Sequence, residues 1–261
     1  MLFIHGFPEF WYSWRHQLKE FSKDYWTVAV DMRGYGDSEK PQGVKYYKMK
    51  YLIEDVKNII EALGKEKCIL VGHDWGGAIA WNFIYTYPQY IEAYIIMNCP
   101  HPTVYKKYLT SNFAQFQKSW YFFFFQAPYL PELFMRMNDM ALVVSSFRSK
   151  KNPNPITEND LEAYKFIFGK PGGFTCPVNY YRANLIKSSL KRNKDVEVPQ
   201  GLLIFGDQDL AIETSTAEET AKTVPNLTLQ IIPGASHFVQ QDEPEEVNKA
   251  IHEFLNNIKA I

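Results

Sequence analysis

Short apolar runs recur along the chain at 2–4, 28–30, 68–71, 94–97, 202–205 and 227–232. Taken together they read as strands of a parallel sheet covered on both faces, which needs near-continuous apolar segments. Between them lie stretches of helical period. Met49, Leu52, Ile53, Val56, Ile59, Ile60 and Leu63 recur on one stripe, with Glu54, Asp55, Lys57 and Glu61 off it and Gly64 placed to end the helix. A second helix carries Val247, Ile251, Phe254, Leu255 and Ile258 on its stripe, with Asp242 read as its N-cap and Pro244 in its first turn. The segment 78–84 is apolar nearly all round, so the helix there is expected to be central and buried.

Alternating strands and helices run to about Asn98 and resume near Pro199, which predicts an α/β fold with a doubly wound, mostly parallel sheet. The interval between is rich in aromatic residues, lysines and Pro/Gly punctuation, and Thr157-Glu158-Asn159-Asp160 opens a capped helix within it. The expected organisation is a core of residues 1–100 and 195–261 with an inserted helical cap, or lid, over 101–194. Within the cap, 149–155 reads as a hinge or surface excursion and Phe122 to Phe125 as packed interior.

Composition narrows the class. With 261 residues and 46% hydrophobic content the chain can bury a large core, and a formal net charge of -1 leaves no footprint for nucleic acid or an anionic membrane surface. No run reaches the roughly 18 apolar residues of a membrane span. Cys68, Cys99 and Cys176 are widely spaced and odd in number, so they read as buried thiols in a reducing compartment. Gly34 and Gly36 form only a fragment of a dinucleotide fingerprint, and neither a phosphate loop nor a metal-spaced histidine pair occurs, so no cofactor or metal is expected.

The most informative segment is Gly72-His73-Asp74-Trp75-Gly76-Gly77, between the run 68–71 and the apolar helix. Small residues two before and two after a nucleophile permit the sharp strand-to-helix elbow that lifts its side chain clear of the sheet. Here the nucleophile position holds aspartate, where a hydrolase elbow usually holds serine. A serine attacking an sp3 carbon would form an ether that water does not cleave, whereas an aspartate forms an ester that keeps a carbonyl for water to attack. Epoxides and alkyl halides therefore suit Asp74, and esters and amides do not. An acid and a histidine follow in triad order: Gly206-Asp207-Gln208-Asp209 after one strand and Gly234-Ala235-Ser236-His237 after the last.

With His5-Gly6-Phe7-Pro8-Glu9, Arg33-Gly34-Tyr35-Gly36-Asp37-Ser38, the Asp74 elbow, two cap tyrosines and the Asp209/His237 pair, the chain resembles the epoxide hydrolases of the α/β-hydrolase fold, the soluble-type group and its membrane-anchored relatives. The resemblance runs from Leu2 to the C-terminus. It implies that Asp74 is the nucleophile, that His237 activates water and that Asp209, preferred to Asp207, orients the imidazole. It further implies an oxyanion hole from the backbone N–H groups of Phe7 and Trp75, a cis Phe7–Pro8 peptide, and Tyr121 and Tyr181 as donors to the epoxide oxygen, with Tyr181 preferred to Tyr180. Trp75 and Pro8 are expected to touch substrate. His5 is expected to shape the oxyanion loop, His73 to pack under the elbow, and Asp31, Arg33, Asp37 and Ser38 to brace the sheet edge; His16, His101 and His252 read as ordinary polar positions.

Two alternatives stand beside this reading. Haloalkane dehalogenases share the aspartate, the following tryptophan, the acid and the histidine, but they need a halide cradle, often an asparagine where this chain has Phe7. A noncatalytic ligand-binding relative would keep the fold and pocket, and the intact Asp74, Asp209, His237, Tyr121 and Tyr181 argue against it. The expected partners are a small lipophilic epoxide and water. The family fold begins with two strands ahead of the one at 2–4, so the resemblance implies a longer parent protein with 28–30 as an open edge. It also implies an intracellular location, in the cytoplasm or at an internal membrane held by an N-terminal segment outside this sequence.

Overall fold

The computed structural model describes residues 1–147, 156–185 and 197–259. Six strands form one sheet: β1 (Leu2–Ile4), β2 (Val28–Val30), β3 (Cys68–His73), β4 (Ile91–Met97), β5 (Gly201–Gly206) and β6 (Leu227–Ile232). Their order is β2-β1-β3-β4-β5-β6, and every neighbouring pair is parallel. Alternate residues along a strand therefore face opposite layers. Ile69, Val71, Leu202 and Ile204 pack with Trp14 and with Phe21 of α1 (Arg15–Phe21). Leu70, Leu203 and Phe205 belong to the opposite cluster, with Leu52, Ile53 and Val56 of α2 (Met49–Ala62) and Ile79, Trp81 and Phe83 of α3 (Trp75–Thr86). Helices on both faces of a parallel sheet make it doubly wound.

Local signals explain the helix ends. α2 stops at Gly64, whose φ of 66 lets its own N–H and that of Lys65 turn back to the Glu61 and Ile60 carbonyls. α3 is buried along most of its length, as its all-round apolar sequence requires. Between β4 and β5 the chain carries α4 (Pro102–Ser111), α5 (Phe113–Lys118), α6 (Trp120–Phe124), α7 (Leu130–Ser146), α8 (Glu158–Gly169) and α9 (Thr175–Asn184). α8 begins at the capping box of Thr157 and Asp160, and α7 is broken at Met137 to Met140, where three residues take positive φ. Met135, Phe147, Tyr164, Phe168 and Tyr181 from this stretch join the cluster containing α2 and α3. After β5 come α10 (Ser215–Thr223), α11 (Val239–Asp242) and α12 (Pro244–Lys259).

Several expectations need correction. β4 begins at Ile91, earlier than its apolar run, and β6 alternates partly buried with exposed residues because it is an edge strand with one neighbour. β2 is the opposite edge. Asp242 does not cap α12: it ends α11, and its carboxylate accepts the Ser236 N–H at 2.7 Å. Of the four phenylalanines from Phe122 to Phe125 only Phe125 is buried, while Phe123 is 48% exposed. Cys99 and Cys176 are buried free thiols, as expected, but Cys68 is only partly buried. The hinge expected at 149–155 and the cap boundary near 194 lie outside the described residues.

Candidate active site

The elbow is built by close backbone approach. A Cβ on Gly76 would collide with the Ile4 carbonyl oxygen, and one on Gly72 would meet the Gly76 carbonyl oxygen at 2.6 Å, so both positions must be glycine for α3 to start against β1 and β3. Asp74 sits between them at φ 49, ψ -116, a sparsely populated conformation for a residue with a side chain. Its carboxylate is thereby aimed out of the sheet at the carboxyl ends of the strands. The Phe7 N–H donates to Asp74 Oδ1 at 2.8 Å, and the Phe7–Pro8 peptide that turns this loop is cis. Pro8 is buried beside it, and Trp75 opens α3 immediately after the elbow.

His237, on the loop after β6, places Nε2 3.5 Å from Asp74 Oδ2 and Nδ1 2.7 Å from Asp209 Oδ2. Asp209 is held by four donors. Its Oδ1 accepts the Ala211 and Ile212 N–H groups at 2.7 and 2.9 Å, and Asn98 Nδ2 joins His237 on Oδ2 at 2.8 Å. Asp207, the competing acid, lies apart and accepts the Gly234 N–H. Burial alone pushes the Asp209 carboxyl up, but the charge and hydrogen bond of His237, with Asn98 and the Ala211 N–H, hold it below the usual carboxylate range. Asp74 follows the same balance: burial raises it, and His237, the charge of His73 and the Phe7 N–H outweigh that. Burial pushes the His237 imidazole down, yet the charges and hydrogen bonds of Asp209 and Asp74 leave it well above its usual value.

The phenols approach from the helices between β4 and β5. Tyr121 on α6 and Tyr181 on α9 stand edge-to-face with ring centroids 5.9 Å apart. Tyr181 is also boxed in by Trp75, Phe7, Phe122 and Phe125, with centroids at 5.0, 5.5, 4.9 and 4.8 Å. Burial, then neighbouring charge that includes Asp74, raises both phenols well above their ordinary range; for Tyr181 a hydrogen bond from Trp75 works against the rise. Both phenols are therefore protonated at neutral pH. Tyr180 has a different place: its hydroxyl donates to the Arg33 carbonyl at 2.7 Å.

Glu9, which the sequence offered only as part of a motif, lies fully buried beneath the elbow. It accepts from Gly6 N, Gln240 Nε2 and Gln241 Nε2 and meets His73 Nδ1 at 2.6 Å, while His73 Nε2 faces the His237 carbonyl at 2.8 Å. A carbonyl only accepts, so Nε2 carries a hydrogen toward His237, and the three extra donors on Glu9 favour its carboxylate form. His73 thus does more than pack. His5 accepts the Met32 N–H on Nε2 and pairs Nδ1 with the Gly6 carbonyl, as expected of a loop-shaping residue. Arg33 grips Asp55 with two bonds of 2.6 and 2.7 Å, and Asp31 accepts the Trp11 and Asp37 N–H groups, so this loop is bracing. His101, read as an ordinary polar position, is buried and caps α4. Among the described residues no group of three or more His, Cys, Asp or Glu could hold a metal ion.

Comparison with known proteins places this geometry. The model of the alpha/beta hydrolase fold matches residues 1–244. Epoxide hydrolase 1 of Caenorhabditis elegans is 44% identical over 98% of this chain and 64% of that protein; epoxide hydrolase 4 of Homo sapiens is 43% identical over 98% and 72%. The crystal structure of the Bacillus megaterium epoxide hydrolase with an inhibitor superposes with a TM-score of 0.88 at 35% identity, covering 98% of this chain and 93% of that one. The chain belongs to the α/β-hydrolase fold family and, within it, to the epoxide hydrolases. It spans about two thirds of the length of the curated relatives it matches. Among the described residues no helix is long and apolar enough to cross a membrane.

Proposed function

We propose that this protein hydrolyses lipophilic epoxides to vicinal diols through an ester on Asp74, with residues 101–194 acting as a cap that carries the oxygen-binding phenols. The observation that carries the reading is the line Asp74, His237, Asp209, with gaps of 3.5 and 2.7 Å, beside two phenols in ring contact, Tyr181 buried and Tyr121 partly buried. Asp74 attacks one ring carbon, the C–O bond breaks with its electron pair going to oxygen, and Tyr121 or Tyr181 gives that oxygen its proton. Neutral His237 then takes a proton from water, and the hydroxide adds to the Asp74 ester carbon. The Phe7 and Trp75 N–H groups stabilise the resulting oxyanion, each such donor being worth about 3 kcal/mol. Collapse frees the diol and the carboxylate, and the imidazolium returns a proton to the phenolate. The aromatic box around Tyr181 supports an apolar substituent on the epoxide, with Trp75 and Pro8 beside it.

One fold-level feature supports the timing. In the resting site Asp74 and Asp209 both hold the proton on His237. Esterification removes the charge of Asp74, so the imidazolium loses one of its two anionic neighbours, gives its proton to solvent and stands neutral when the ester needs water; it takes a proton back from solvent once the Asp74 carboxylate is restored.

The test is His237→Gln exposed to trans-stilbene oxide, followed by peptide mass spectrometry. An ester accumulating on Asp74 is expected. An adduct from an alkyl halide and none from the epoxide would favour dehalogenation, and no adduct from either would favour a binding protein.

A further inference from the structure

Arg182 follows Tyr181 on α9, and its guanidinium reaches away from the reacting centre into the junction between α6 and α7. Nε donates to the Phe125 carbonyl at 2.9 Å and Nη2 to the Ala127 carbonyl at 2.6 Å. The same fork holds Glu132, in the first turn of α7, through Nη1 at 2.7 Å and Nη2 at 3.1 Å. Both side chains are largely enclosed, 14% and 13% exposed. Phe125 is the C-cap of α6, and its own N–H bonds the Tyr121 carbonyl at 2.8 Å. A bond also crosses in the other direction, from Gln126 Nε2 to the Tyr181 carbonyl at 3.4 Å.

The two phenols touch ring to ring, but their backbones belong to different helices. α6 is a helix of five residues, too short to hold its own angle. The Arg182 fork ties the end of that helix, one turn from Tyr121, to the residue next to Tyr181. A planar guanidinium fits this place because it satisfies two carbonyls and a bidentate carboxylate at fixed angles, which a lysine ammonium cannot do.

We infer that Arg182, fixed by Glu132, is a positioning residue for ring opening: it sets the spacing of Tyr121 and Tyr181 so that both can meet one epoxide oxygen. The inference rests on the proposed role of those phenols. Misplacing a reacting group by about 1 Å can cost on the order of 100-fold in rate. The ester-hydrolysis step depends on His237, Asp209 and the Phe7 amide, none of which the fork contacts.

Rapid-quench single turnovers of trans-stilbene oxide, read by mass spectrometry of the Asp74 peptide, separate ester formation from ester breakdown. Arg182→Lys and Glu132→Gln are each expected to slow ester formation at least about tenfold and to leave breakdown within about twofold. Glu132→Gln keeps the test open if Arg182→Lys does not fold. Equal slowing of both steps would reduce the fork to general stability and overturn the inference. So would wild-type ester formation in both variants when Tyr181→Phe is slow. If Tyr181→Phe also forms ester at the wild-type rate, the phenol reading itself falls.

Discussion

Glu9 and His73 make a fully buried contact of 2.6 Å directly beneath the elbow that carries Asp74. The pair joins three loops of the candidate site at once. Glu9 takes the Gly6 N–H of the loop that presents the Phe7 amide, His73 precedes Asp74 in the chain, and the other nitrogen of His73 faces the carbonyl of His237. Burying a charge is costly unless it is paired and hydrogen-bonded, and here Glu9 has His73 and three N–H donors.

Glu9→Gln removes the carboxylate that His73 meets and presents an amide to three donors. Breaking a buried pair costs about 3–5 kcal/mol, which for a chain of this size lowers the melting temperature by roughly 10 °C. Thermal unfolding followed by circular dichroism measures it, and a shift below about 3 °C would show that the pair contributes little. The Glu9 carboxyl is held below its usual range: burial raises it, but His73, the Gly6 N–H and His5 outweigh that. A depressed carboxyl stabilises the fold above its unfolded value, about 4.3, and that stability is lost as pH falls through the folded value. The difference between wild type and Glu9→Gln should therefore shrink in acid below about pH 4.

The two chemical steps should separate with pH. Asp74 lies below the usual carboxylate range, so ester formation is expected to persist down to about pH 5. His237 lies above its usual value in the resting enzyme, where its raised value favours the charged form and stabilises the fold on the acid side, a contribution lost as pH rises through the folded value. In the proposed mechanism ester breakdown needs the neutral imidazole, so it is expected to slow about tenfold for each pH unit below the value of the esterified form. Acid-quenched samples should hold more Asp74 ester at about pH 5 than at about pH 8. A parallel fall of both steps would sink this account.

Much of this site was legible because its chemistry is tied to chain order. The glycines around Asp74, and the acid and histidine after successive strands, can be read from spacing alone, since a parallel sheet brings strand ends to one edge. Asp209 over Asp207 could be preferred only by resemblance, and the structural reason is that Ala211 N and Ile212 N close a turn on Asp209 Oδ1. Asn98, Gln240, Gln241 and Arg182 act through contacts 50 or more residues away in sequence, and nothing in their local pattern marks those partners. Asn98 did leave one trace: it follows β4 with a φ of 44, a conformation asparagine tolerates better than most residues. The edge character of β6 was visible in its Thr228 and Gln230, which point to the exposed side.

Adjacent tyrosines should give opposite phenotypes. Tyr180→Phe leaves the Arg33 carbonyl without its donor, at a cost of about 1–2 kcal/mol in stability, and should change ester formation by less than about threefold. Tyr181→Phe keeps the ring inside its aromatic box and removes only the hydroxyl, so stability should hold within about 1 kcal/mol while ester formation slows by roughly 100-fold. Chemical denaturation paired with single-turnover kinetics tests both, and reversed phenotypes would transfer the chemical role to Tyr180.

Two glycines separate conformational cost from steric cost. Gly64 has a φ of 66 and open space where a Cβ would stand, so Gly64→Ala should cost only the left-handed penalty of about 1–2 kcal/mol and leave turnover unchanged. Gly76 has no such positive φ, but its Cβ would enter the Ile4 carbonyl oxygen and press on that of His5. Both atoms are backbone, so relief requires α3 to move away from β1. That movement would pull Asp74 from the Phe7 N–H, which sits three residues beyond Ile4 on the same strand and loop. Gly76→Ala should therefore cost about 3 kcal/mol or more and reduce ester formation by at least about 100-fold. Denaturation midpoints and single-turnover rates for the two variants decide it. Normal ester formation in a folded Gly76→Ala protein would mean that the elbow tolerates a wider separation of α3 from β1 than its close backbone contact implies.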